Sequence, residues 1–96
     1  MTVRVRVRVR GRVQGVGFRY ATVRAAARHG VAGVVRNLPD GSVQVEVEGD
    51  RESVDAVLGF LREGPPSAVV DEVDVVRLPV RGEVGFSEAS SPPPTR

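Results

Sequence analysis

Ninety-six residues are enough for one domain with one modest core. There is no cysteine and a single histidine, so disulfides, Cys-based metal sites and a Ser-His-Asp triad are excluded or starved of parts. The formal charge is only +2, and all fourteen basic residues are arginine; with no lysine and one tyrosine almost nothing titrates between pH 8 and 12. A small excess of arginine therefore carries the pI to about 10.4, which makes the high pI weak evidence for nucleic-acid binding.

The chain opens on strict alternation. Val3, Val5, Val7 and Val9 interleave with Arg4, Arg6, Arg8 and Arg10, which predicts a strand with one buried and one solvated face. Nothing here has the long apolar run of a membrane span or the apolar core of a signal peptide, so a soluble cytoplasmic protein is expected. Gly11, Gly15 and Gly17 then punctuate a turn, and from Phe18 the period changes. Phe18, Thr22, Ala25, Ala26 and His29 share one side at helical spacing, and Gly30 suits the position after a helix end. Residues 31–37, VAGVVRN, read as a second strand. NLPDGS is a turn, with Pro39 and Asp40-Gly41 supplying its chemistry. Val43, Val45 and Val47 alternate with Gln44, Glu46 and Glu48 in a third strand.

Asp50 is placed to cap a second helix, whose apolar stripe is Val54, Val57, Leu58 and Leu61. Gly64 and Pro65-Pro66 end it. Residues 69–78 form a fourth strand, and a short segment near Val84 to Phe86 is a candidate fifth. The domain is expected to span residues 1–89, with SSPPPTR, 90–96, a disordered tail. The order β-α-β-β-α-β predicts an α+β, ferredoxin-like sandwich. Its antiparallel sheet takes strand order 4-1-3-2, with both helices on one face. The arginine row then lies on an open face, flanked by Gln44, Glu46, Glu48, Glu72 and Asp74. Those acids and the lack of aromatics on the central strands argue against an RNA platform.

The glycine turn carries the chemistry. A strand entering a helix through glycines exposes several backbone N–H groups that have no intrahelical partner, and the helix dipole adds positive potential there. Such a loop can cradle phosphate, and Arg19 can add a planar fork of donors. It is not a nucleotide-binding signature: no lysine follows the second glycine, and Tyr20 stands where the dinucleotide pattern needs a third glycine. On spacing alone, a tight turn with a solvated arginine remains an equal reading.

Gly11 to Arg19, GRVQGVGFR, resembles the signature of the acylphosphatases. So do Gly33 to Asn37 with Leu38 to Gly41, and Leu61 to Pro66 at the end of the second helix. The resemblance runs in order from about Val5 to Val76. It implies a ferredoxin-like enzyme that hydrolyses acylphosphates without metal, cofactor or covalent intermediate. It places the catalytic arginine at Arg19 and the catalytic asparagine at Asn37. It places the phosphate-binding loop at Gln14, Gly15, Val16, Gly17 and Phe18. A monomer is expected, with a small acylphosphate as substrate and inorganic phosphate as product and inhibitor. The family's aromatic-aliphatic closing strand is reduced here to Phe86. The chemistry fits these residues: a mixed anhydride has a good carboxylate leaving group and needs charge neutralisation and an in-line water. The alternative from another class is a non-catalytic module of the same fold that binds phosphate ligands or RNA.

Overall fold

The computed structural model describes residues 1–89; the expected tail at 90–96 lies outside them. In chain order the elements are β1 (Thr2–Arg12), α1 (Phe18–His29), β2 (Ala32–Asn37), β3 (Val43–Asp50), α2 (Arg51–Glu63), β4 (Val69–Leu78) and β5 (Phe86–Ala89). The sheet order is β4-β1-β3-β2-β5. The four expected strands hold their antiparallel order, and β5 adds a fifth, parallel to β2, with Phe86 opposite Gly33 and Ala89 opposite Arg36. The fifth strand thus begins at Phe86 rather than near Val84.

The valine alternation builds the core. Val3, Val5, Val7 and Val9 of β1 and Val43, Val45 and Val47 of β3 are buried together with Val54, Val57, Leu58 and Leu61 of α2. In the register, Val5 faces Val47, Val7 faces Val45 and Val9 faces Val43. Fully burying each such side chain contributes roughly 1.5–3 kcal/mol. From α1, Phe18, Thr22, Ala25 and Ala26 join them. His29 does not: the last turn clears the sheet and leaves it exposed before the left-handed Gly30 cap. Asp50 stands at the cap position of α2, yet its side chain makes no capping bond. Its carboxylate instead meets the N-terminal ammonium at 3.4 Å.

Gly11 belongs to β1 and not to the turn that follows. The register against β4 shifts between Arg10 and Gly11, and a Cβ on Gly11 would lie 2.1 Å from the Val69 carbonyl oxygen. Glycine here permits the close approach of two strands at a bulge.

The arginine row is also less open than its pattern predicts. Arg8 and Arg10 are partly exposed and pair with Asp40 and Asp74. Arg4 is only 1% exposed. Its guanidinium bonds Glu46 and Glu48 and lies 3.9 Å from Glu83. The cover is the segment between β4 and β5, which crosses this face. Glu48 accepts the backbone N–H groups of Arg81, Gly82 and Glu83 at 3.0, 2.7 and 3.3 Å. The Arg81 N–H, with help from Arg4 and the other two N–H groups, holds the Glu48 carboxyl below its usual range despite burial. Crossing there, the chain delivers β5 to the edge of β2.

Candidate active site

Between β1 and α1 the backbone turns through two left-handed glycines, Gly15 (φ 76°) and Gly17 (φ 79°). A Cβ at either would meet nothing within 4 Å, so the positive φ and not crowding selects glycine. Gly17 caps α1 without any side-chain bond, and the first turn holds no acidic residue. Going along the chain from Gly15, the first N–H to find a backbone acceptor is that of Ala21, in α1, which bonds the carbonyl of the capping Gly17. The N–H groups of residues 15–20 therefore have no backbone or side-chain acceptor among the described residues. Six consecutive donors without partners at a helix N-terminus are an arrangement suited to an anion.

Two sets of contacts fix the loop. The Gln14 side-chain amide donates to the Leu38 and Ser42 carbonyls at 2.8 and 2.9 Å, tying the loop to the β2–β3 turn. Ser67 Oγ donates to the Val16 carbonyl at 2.9 Å. The turn is itself braced. The Leu38 N–H bonds the Ser42 carbonyl, and Asp40 accepts from the Ser42 N–H at 3.0 Å. The Ser42 hydroxyl and N–H hold the Asp40 carboxyl below its usual range. Asn37, the last residue of β2, is thereby fixed opposite the loop.

A small cavity of about 100 Å³ is lined by Gly15, Gly17, Phe18, Arg19, Asn37 and Glu88, with Val13 and Tyr20. Of the residues singled out in the sequence, five thus share one wall system. Gln14 and Val16 stand aside: Gln14 spends its amide on the turn, and Val16 leans on the core. Phe18 is buried, its ring packed on Phe60 at 6.3 Å between centroids. Asn37 Oδ1 is buried and accepts no hydrogen bond among the described residues. An acceptor in that state is uncommon in a folded protein and calls for a donor that comes and goes.

Arg19 lies under β5. Its Nε is 3.2 Å from a Glu88 carboxylate oxygen, and its Nη1 donates to the Ala89 carbonyl at 3.1 Å. Sequence reasoning missed Glu88. No local pattern marks it; only pairing of β5 with β2 brings it to Arg19.

The likenesses to known proteins agree with this geometry. The acylphosphatase family profile matches residues 5–88. The acylphosphatase of Methanothrix thermoacetophila is 46% identical over 90% of this chain and 96% of its own length. That of Thermococcus kodakarensis is 50% identical over 88% and 92%. The crystal structure of acylphosphatase from Bacillus subtilis superposes with a TM-score of 0.88 at 33% identity, covering 93% of this chain and 99% of that one. The fold is a ferredoxin-like α/β sandwich, shared with acylphosphatases of solved structure. The chain belongs to the acylphosphatase family: it is an acylphosphate phosphohydrolase, acting on a small-molecule acylphosphate. That outcome favours the enzyme over the non-catalytic module. No helix among the described residues is long and apolar enough to cross a membrane.

Proposed function

We propose that Arg19 and the N–H groups of the loop around Gln14, Gly15, Val16, Gly17 and Phe18 hold the substrate's phosphoryl group, and that Asn37 places the attacking water. The observation that carries this reading is the buried, unpartnered Asn37 Oδ1 on the same small cavity as the free N–H groups and Arg19. Phosphoryl oxygens take the loop donors and the guanidinium fork, which spread the charge developing on them. Asn37 Oδ1 accepts one O–H of the water, turning an oxygen lone pair toward phosphorus. An amide is too weak a base to take the proton, so its contribution is orientation. The water oxygen bonds phosphorus, and the bond from phosphorus to the acyl oxygen breaks. The electron pair leaves with the carboxylate. The water's proton passes to solvent or stays on the phosphate.

Charge neutralisation by Arg19 and backbone dipoles supplies what a cation would otherwise give, so the reaction is proposed to need no metal. Inorganic phosphate, sharing the cradle, is proposed as a competitive inhibitor. A cytoplasmic location and a monomeric state are part of the same proposal.

The test is phosphate release from benzoyl phosphate in buffer containing EDTA. Turnover that persists in chelator, is competitively inhibited by phosphate and collapses in both Arg19→Lys and Asn37→Ala supports the assignment. Turnover that survives both substitutions in folded protein overturns it.

A further inference from the structure

A second and larger cleft adjoins the cradle. Its volume is about 670 Å³, within the range of small-molecule sites. It runs between α1 and the end of α2, and it meets the phosphate cavity at Tyr20, which lines both. Its far wall is the segment after α2, the same segment whose Ser67 bonds the cradle at Val16. Pro65 and Pro66, with Phe60 from the last turn of α2, give that side an apolar surface. Along α1 the other wall is basic: Arg24 and Arg28 follow Tyr20 at four-residue intervals, so they rise one above the other on one side of the helix.

Neither Arg24 nor Arg28 forms a salt bridge among the described residues, whereas Glu63 supplies the cleft's one carboxylate. Arg24 is nonetheless held. Its Nη1 donates to the Tyr20 hydroxyl at 3.2 Å, and its guanidinium carbon lies 5.8 Å from the ring centroid. Tyr20 thus keeps a cation at the boundary between cradle and cleft. Four helical residues rise about 6 Å, which is the length of a substituted benzoyl group from its carbonyl to a para substituent's carbon.

We propose that this cleft is the acyl-group subsite, resting on the phosphate-cradle reading above, and that it selects acyl groups with an apolar, ring-sized body ending in a carboxylate. The phosphoryl group sits in the cradle. The ring lies along Phe60 and the prolines, and the terminal carboxylate meets Arg24 first and Arg28 beyond it. The net positive lining favours such an anion over a neutral acyl end.

The test compares benzoyl phosphate with 4-carboxybenzoyl phosphate on the full chain, each variant being judged by the ratio of its two kcat/KM values. The unmodified protein should prefer the carboxylated substrate by about tenfold, the contribution of one charge-assisted hydrogen bond. The Arg24→Ala/Arg28→Ala double variant should bring the ratio to about one, and Arg24→Glu should push it below one. Terephthalate should inhibit the unmodified protein more strongly than benzoate, a readout of binding that needs no turnover of the carboxylated substrate. Equal kcat/KM for the two substrates in the unmodified protein overturns the proposal, as does a preference that survives both variants. Failure to hydrolyse benzoyl phosphate at all would strike the activity itself, and is seen separately in the unmodified protein.

Discussion

Arg19 and Glu88 lie far apart in the chain but meet across one strand: the guanidinium donates to the Ala89 carbonyl, 70 residues on, while its Nε sits 3.2 Å from the Glu88 carboxylate. The side chain proposed to meet a phosphoryl dianion therefore already meets an anion. Glu88 is 41% exposed at its side chain, so the pair is a partly solvated one, worth no more than about 1 kcal/mol. Substrate can displace it.

Replacing Glu88 by glutamine should tighten phosphate binding, by up to about fivefold, because a competing negative charge is gone while the Ala89 carbonyl still orients Arg19. Phosphate inhibition constants for the two proteins check this. Weaker phosphate binding in Glu88→Gln would mean that the carboxylate is needed to aim the arginine.

Arg19→Lys should lose most activity, on the order of 10²-fold or more, with the fold intact. A lysine offers a point charge and cannot serve the β5 carbonyl and two phosphoryl oxygens in one plane. Steady-state kinetics with a thermal melt decide the matter; near-normal turnover rules out the fork.

Asn37→Ala should lower kcat by about 10²–10³ while KM and the phosphate inhibition constant change little. The melting temperature should fall only slightly, since the Oδ1 lost has no partner among the described residues. If KM and phosphate inhibition shift steeply while kcat holds, Asn37 binds rather than positions.

Gly15→Val should damage phosphate affinity more than stability. A Cβ at Gly15 has open space, so the substitution is opposed only by the left-handed φ of 76°, a strain of about 1–2 kcal/mol. Relief of that strain turns the loop N–H groups out of the cradle. Unchanged phosphate affinity in a folded variant would leave the glycine a role in chain reversal alone.

The Arg4–Glu48 pair gives the protein an acid-sensitive latch on the crossing segment. Because the Glu48 carboxyl titrates below its unfolded value, its contribution is complete above that unfolded value and is lost as pH falls through the folded one. Thermal melts from pH 7 down to pH 3 should show this loss, and Glu48→Gln should flatten it. Arg4→Met, which leaves Glu46 and Glu48 facing each other without their cation, should destabilise by about 3–5 kcal/mol near neutral pH. A loss below about 1 kcal/mol would show that the burial is incidental.

Much of this was legible along the chain. Valine at every second residue, the change of period at Phe18 and the glycine at each helix end are local signals, and they placed β1, both helices, β3 and β4 within a few residues. That Gly15, Gly17, Arg19 and Asn37 would gather at one place was legible only through their resemblance to one family; on spacing alone a tight turn with a solvated arginine and a turn-opening asparagine read equally well. Arg4 was not. Its pattern is that of Arg6, Arg8 and Arg10, and what buries it is a segment nearly eighty residues later. Glu88 was hidden for the same reason: a strand added at the sheet edge is decided by pairing, not by period. Gly11 read as part of the turn because a bulge is a property of two strands and only one was in view.

Gln14 joins the cradle to the turn that begins at Asn37 with two bonds from one nitrogen, to carbonyls four residues apart. That geometry works as a gauge. Both carbonyls stay in reach of a single amide only while the 38–42 turn keeps its length and curl, so the loop settles at one separation from Asn37 and no other. If the proposed roles hold, this turn sets the gap into which phosphorus and water would fit. An added residue between Leu38 and Ser42 would leave the helices and the valine core as they are and put the two halves of the site out of step. The tolerance of this enzyme to change should therefore be read along its turn lengths rather than its surface composition.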